Sequence, residues 1–125
     1  TLSCDVSFWV GSLNATCSSS PNETYSALNY NGTCTPTPDS PKSSYYSLII
    51  DTQTKIVSNF TIYNGKVCES KFALFAAKTP VPLDTCAPLY FVSAPSTLTD
   101  IGSLIFTCKW ENLFSWCCSF FSRID

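Results

Sequence analysis

The chain has 125 residues, of which 45% are hydrophobic and 13% charged, with a formal net charge of −2. One domain with a moderate core is the expectation at this length. The low, slightly acidic charge gives no reason to expect nucleic acid or an anionic membrane as a partner, and no apolar run is long enough to span a bilayer.

In chain order, Leu2 to Val10 alternates weakly, carries Phe8 and Trp9, and reads as a strand leading to a tip. Gly11-Ser12-Leu13-Asn14 reads as a turn. Cys17 to Cys34 is rich in Ser, Asn and Pro, with one weak strand candidate at Thr24 to Tyr30. Thr35 to Lys42 holds Pro36, Pro38 and Pro41, so it is an extended connector. Tyr45 to Asp51, centred on Leu48, Ile49 and Ile50, is a strand, and Asp51-Thr52-Gln53-Thr54 turns out of it.

The organising stretch is Ile56 to Cys68. Asn64-Gly65 predicts a two-residue type I′ hairpin, because both residues tolerate positive φ. Asn59 opens a glycosylation sequon whose glycan must face solvent, so Phe60 and Ile62 are assigned to the core face, and Val57, which alternates with them, to the face of Asn59.

Lys71 to Ala77 reads as a strand or one short helix, and Lys78 to Asp84 is interrupted by Pro80 and Pro82. Ala87 to Val92 is aromatic and lies between proline-marked loops. Ser103 to Trp110 is a strand with Leu104, Phe106 and Cys108 on one face. Asn112 to Phe121 is crowded with aromatics and holds the pair Cys117-Cys118. Short strands separated by turns, with no capped helix, predict an all-β fold: a disulfide-stapled two-layer β-sandwich with functional loops at one end.

Eight cysteines (Cys4, Cys17, Cys34, Cys68, Cys86, Cys108, Cys117 and Cys118) and four sequons (Asn14, Asn22, Asn31 and Asn59) point together to the secretory pathway, N-linked glycans and disulfides. Eight cysteines allow 105 pairings. Cys34–Cys68 is the pair expected first, since these two flank the strands at Tyr45 and Ile56. Adjacent Cys117 and Cys118 are expected to bond different partners. The expectation is a single extracellular domain, residues 1–125, belonging to a larger glycoprotein or released from a removed leader.

Histidine is absent. That removes His-based nucleophilic catalysis and the commonest zinc ligand. The nine carboxylates are scattered and the four glycines are isolated, so no phosphate loop is present. No catalytic residue, metal site or cofactor is expected. The remaining candidates are the adjacent aromatics Phe8-Trp9 and Tyr90-Phe91. Neighbours on a strand point to opposite faces, so one of each pair is a candidate for exposure at an interface.

Phe60-Thr61-Ile62-Tyr63, Cys68 and Phe72, the Tyr45 to Ile50 strand, and Ile101-Gly102-Ser103-Leu104-Ile105-Phe106 ending in Trp110-Glu111 resemble the receptor-binding domain of the coronavirus spike, alpha- and deltacoronavirus type. The resemblance covers roughly residues 4 to 111 by order and spacing. The Cys117-Cys118 tail departs from it, and the short segment from Cys86 to Ile101 leans toward the delta type. The resemblance implies a virion-surface domain that binds a host cell-surface protein, often aminopeptidase N, through loops at one end. Those loops correspond here to Phe8 to Leu13 and Pro88 to Pro95, with Phe8, Trp9, Val10, Leu89, Tyr90 and Phe91 as receptor-binding candidates. Gly102 to Cys108 is also similar to the small secreted immunoglobulin-like accessory protein of SARS-related coronaviruses. A secreted disulfide-rich effector is a third reading, supported by composition.

Overall fold

The computed structural model describes residues 2–11, 16–39, 43–94 and 97–110. Nine strands are present among them: β1 (Leu2–Val10), β2 (Glu23–Tyr25), β3 (Thr35–Pro36), β4 (Ser44–Asp51), β5 (Ile56–Asn64), β6 (Ala73–Ala77), β7 (Val81–Pro82), β8 (Ala87–Ala94) and β9 (Thr97–Trp110). All pairings are antiparallel. The strands follow one continuous hydrogen-bonded path, β2-β1-β9-β8-β6-β5-β4-β3, with β7 added against β5.

This path is strongly curled. Strands β1 and β5 are four steps apart, about 19 Å in a flat sheet. The rings of Phe8 on β1 and Phe60 on β5 nevertheless lie 6.2 Å apart, and Phe60 meets Phe106 of β9 edge-on at 5.1 Å. The two ends of the path therefore face each other across one core. Tyr46, Phe60, Phe106, Leu48, Leu104, Val6 and Val57 fill it, each nearly devoid of solvent contact. The disulfide-stapled all-β fold expected from the sequence is present, built from a single curled sheet rather than two separate ones.

A curled sheet leaves a seam between its two edges, and one segment closes it. Strand β2 pairs with β1 through Val6–Tyr25, Ser7–Thr24 and Phe8–Glu23. The chain then follows β1 for one more bond, from the Leu28 N–H to the Cys4 carbonyl (2.9 Å). It crosses to β4, where the Ile50 N–H donates to the Tyr30 carbonyl (3.1 Å) and the Gly32 N–H to the Leu48 carbonyl (2.9 Å). Pairs Thr35–Tyr46 and Pro36–Tyr45 continue along β4 as β3. Residues 23–37 thus form a clasp that gives both edges backbone partners, as exposed edges require. The buried Tyr46 hydroxyl accepts the Asn29 N–H at the crossing, 2.7 Å away.

Three disulfides staple this arrangement: Cys4–Cys108, Cys17–Cys86 and Cys34–Cys68. The Cys34–Cys68 pair is the one expected from chain order. Cys117 and Cys118 lie outside the described residues, as do Asn14, the rest of the Ser12-Leu13-Asn14 turn, and the Asn112 to Phe121 segment.

Two readings of the organising stretch need correction. Asn64-Gly65 does not close a two-residue hairpin. Gly65 has φ +95°, but Asn64 ends β5 in the ordinary region, and the chain runs on through a 3-10 turn at Ser70–Phe72 before β6 begins. A Cys68 tether to Cys34, across the edge of β4 from β5, holds the connection out of a tight turn. Phe60 and Ile62 do face the core, as expected. Val57 also faces it, although strict alternation assigns it outward. The register passes from Ile49–Asn59 to Ile50–Val57, so Ser58 is an extra residue and the bulge shifts the inward phase by one. The Asp51 turn forms as expected. The Asp51 carboxylate accepts the N–H groups of Gln53 (2.9 Å) and Thr54 (3.2 Å), which hold its pKa below the ordinary carboxylate value.

Candidate functional site: an apolar concavity with an acidic rim

The alternation of β1 sends Val6, Phe8 and Val10 to the concave side. Val6 and Phe8 are covered, but Val10, at the strand's end, remains 54% exposed. Directly beside it on β9 comes Gly102, and beyond that Leu89 of β8. A side chain at Gly102 would collide with the Trp9 carbonyl oxygen, so glycine lets the two backbones close. On the opposite half of the sheet, Ile62 of β5 pairs with Phe75 of β6, and Phe75 with Phe91 of β8. These elements surround a cavity of about 170 Å³ lined by Phe8, Val10, Glu23, Tyr25, Ile62, Phe75, Leu89 and Ile101. Phe91 extends this wall at the surface, its ring 5.9 Å from that of Phe75.

The polar groups of the site gather at the two ends of the clasp, which the Tyr25–Asp39 contact links. Glu23 stands at the start of β2, and Asp39 follows β3. The Tyr25 hydroxyl donates to Asp39 Oδ2 at 3.4 Å, and the Thr37 hydroxyl donates to Asp39 Oδ1. Partial burial, reinforced by the charge of Asp39, raises the Glu23 pKa. Burial pushes the Tyr25 phenol well above its ordinary range, with Glu23 and Asp39 adding to the effect. Among the described residues neither carboxylate has a cationic partner; the ion pair there is Lys71–Glu69. No group of three or more His, Cys, Asp or Glu suited to a metal ion occurs among them either.

The six receptor-binding candidates divide. Phe8, Val10 and Leu89 line the cavity. Phe8 and Leu89 are buried walls within strands, not loop tips. Trp9 is corrected outright as a surface anchor. It points to the opposite face and is 6% exposed, because the segment after Cys17 crosses over it and the Ser19 carbonyl accepts its indole N–H at 2.7 Å. The Cys17–Cys86 bond fastens that segment to the start of β8. Tyr90 and Phe91 also belong to a strand, and of this pair Phe91 is the more exposed. Sequence reasoning missed Glu23, Tyr25, Asp39, Phe75 and Ile101 as a group. They lie far apart in the chain and carry no shared motif.

The sequon residues differ in access. Asn22 and Asn31 are exposed. Asn22 is close to the cavity, since its side-chain oxygen accepts the Val10 N–H at 2.7 Å. Asn59 is half-buried, with its amide donating toward Ser47 Oγ at 3.3 Å. The described residues contain no helix long and apolar enough to cross a membrane, and three disulfides fit an oxidising compartment. No protein-family model, no curated protein and no solved structure matches this chain.

Proposed function

We propose that this domain is a non-catalytic binding module displayed outside the cell, attaching to a host cell-surface protein through the open end of its curled sheet. One observation carries the reading: Val10, Phe75, Phe91 and Ile101 form a partly uncovered apolar surface gathered around a cavity, on a disulfide-stapled domain. Uncovered aromatic and branched side chains at a rigid rim are typical interface anchors. The resemblance to the coronavirus spike supports a receptor-binding role in virus entry and makes aminopeptidase N the first receptor to test. The secreted immunoglobulin-like accessory protein, or another disulfide-rich effector of host immunity, is the alternative. The burial of Trp9 favours it, because that removes one aromatic from the proposed receptor-binding end.

The test uses Val10→Asp and Phe91→Ala, with binding to cells bearing aminopeptidase N and other surface proteins as the first readout and melting temperature as the second. The expected result is a loss of about thirtyfold in affinity at an anchor position, with the melting temperature retained. Unchanged binding by both variants overturns the assignment of this surface. If the unmutated domain binds no cell surface, the secreted effector is the better reading.

A further inference from the structure

From the cavity and its rim we infer the chemistry of the partner: a protein segment that inserts one aromatic or branched aliphatic side chain and carries a lysine or arginine beside it. This inference rests on the binding role proposed above and names what the surface selects.

Two independent features lead to it. The first is size and polarity. A cavity of about 170 Å³ walled by Phe8, Val10, Ile62, Phe75, Leu89 and Ile101 is close to the dry cavities of about 150 Å³ that take a benzene-sized group. It has room for one side chain, not for a drug-sized ligand. The second is charge. The rim carries Glu23 in the cavity lining and Asp39 close enough to perturb it, and no lysine or arginine among the described residues neutralises either. Tyr25 joins the features, its ring lining the cavity and its hydroxyl bound to Asp39. Thr37 and Tyr25 hold Asp39 from both sides, so its carboxylate is fixed rather than free to swing toward solvent. An apolar socket beside a held Asp39 carboxylate and the exposed Glu23 favours an apolar group attached to a cation. It rejects the same group attached to an anion, because that would place like charges together in a partly desolvated site.

The experiment titrates the whole domain with phenethylammonium, the matched anion 3-phenylpropionate and neutral phenethyl alcohol, following the methyl resonances of Val10, Ile62, Leu89 and Ile101 by NMR. The cation is expected to bind about fivefold tighter than the anion, and Glu23→Lys to cancel the preference while keeping the melting temperature. Glu23→Gln is the milder control and is expected to reduce the preference without removing it, since Asp39 keeps its charge. Equal binding of cation and anion, or a preference that survives Glu23→Lys, overturns the inference. No shift of these methyl groups with any of the three probes also overturns it. Cell binding by the same variants keeps the two proposals apart. If the probes show no charge preference while Val10→Asp still abolishes cell attachment, the inference about partner chemistry fails alone. If attachment is insensitive to Val10→Asp, the binding surface itself is wrong.

Discussion

The interior around Phe60 and the rim around Phe91 are made of the same materials and end differently. Both consist of aromatic and branched residues on the concave side of one sheet. At Phe60 the opposite half of the sheet supplies Phe8 and Phe106 at ring distances of 6.2 and 5.1 Å, and solvent is excluded. At Phe91 the cross-strand neighbour Phe75 is present, but nothing among the described residues covers the pair from across the cavity. The clasp pairs with both edges of the seam, and beside the rim its two ends are linked only through the side chains of Tyr25 and Asp39 among the described hydrogen bonds. Covering, rather than composition, distinguishes the core from the open rim.

The comparison can be broken most severely at the staples. Removing Cys4–Cys108, with a sequence separation of 104, releases a loop whose closure is worth about 5 kcal/mol in chain-entropy terms. The Cys4→Ala/Cys108→Ala protein is expected to be largely unfolded at 37 °C, as read by circular dichroism. Cys34–Cys68, with a separation of 34, is worth about 4 kcal/mol on the same reasoning and should cost less.

Next in size is a direct contrast of the two regions. Phe60→Ala should cost about 3–5 kcal/mol in denaturant unfolding, because it empties the interior. Val10→Ala, at the rim, should stay within about 0.5 kcal/mol. Similar costs at both positions would show that the rim is covered in solution.

A smaller effect sharpens the role of the clasp. Tyr46→Phe removes the hydroxyl that accepts the Asn29 N–H and should cost about 1–2 kcal/mol. Faster hydrogen exchange at Gly32 and Ile50, whose amides bond between the clasp and β4, is expected with it.

The smallest effects are those of pH, and the carboxylates of the exposed Asp51 turn and of Glu23 at the rim respond with opposite signs. The Asp51 pKa is lowered by its backbone donors, so its stabilisation is present above the ordinary carboxylate range and is lost as pH falls through the folded-state value. The Glu23 pKa is raised by burial and by Asp39, so its folded form is favoured while protonated. That contribution declines as pH rises from the ordinary carboxylate value through the raised one. Melting curves of Asp51→Asn and Glu23→Gln against pH should therefore diverge from the parent in opposite directions.

Much of the strand content was legible because it rests on local chemistry. β-branched and aromatic runs at Tyr45 to Asp51 and Ser103 to Trp110 form strands, and Asp51 turns the chain with its own carboxylate. Phe60 and Ile62 were placed inward by the requirement that a glycan on Asn59 face outward. Cys34–Cys68 followed from the order of the strands it spans. These features depend on nearest neighbours, which the sequence displays. The bulge at Ser58 was not legible, because the register between β4 and β5 decides it. One of Phe8 and Trp9 was expected at the surface, and both are buried; the cover of Trp9 comes from the Ser19 segment, fastened by a bond to distant Cys86. The cavity was the least visible feature. It brings residues from Phe8 to Ile101 onto one wall, and only the curl of the whole sheet places Glu23 and Asp39 at its rim. Side-chain type and alternation are properties of the chain; which apolar faces are left uncovered is settled only when the two edges of the sheet meet.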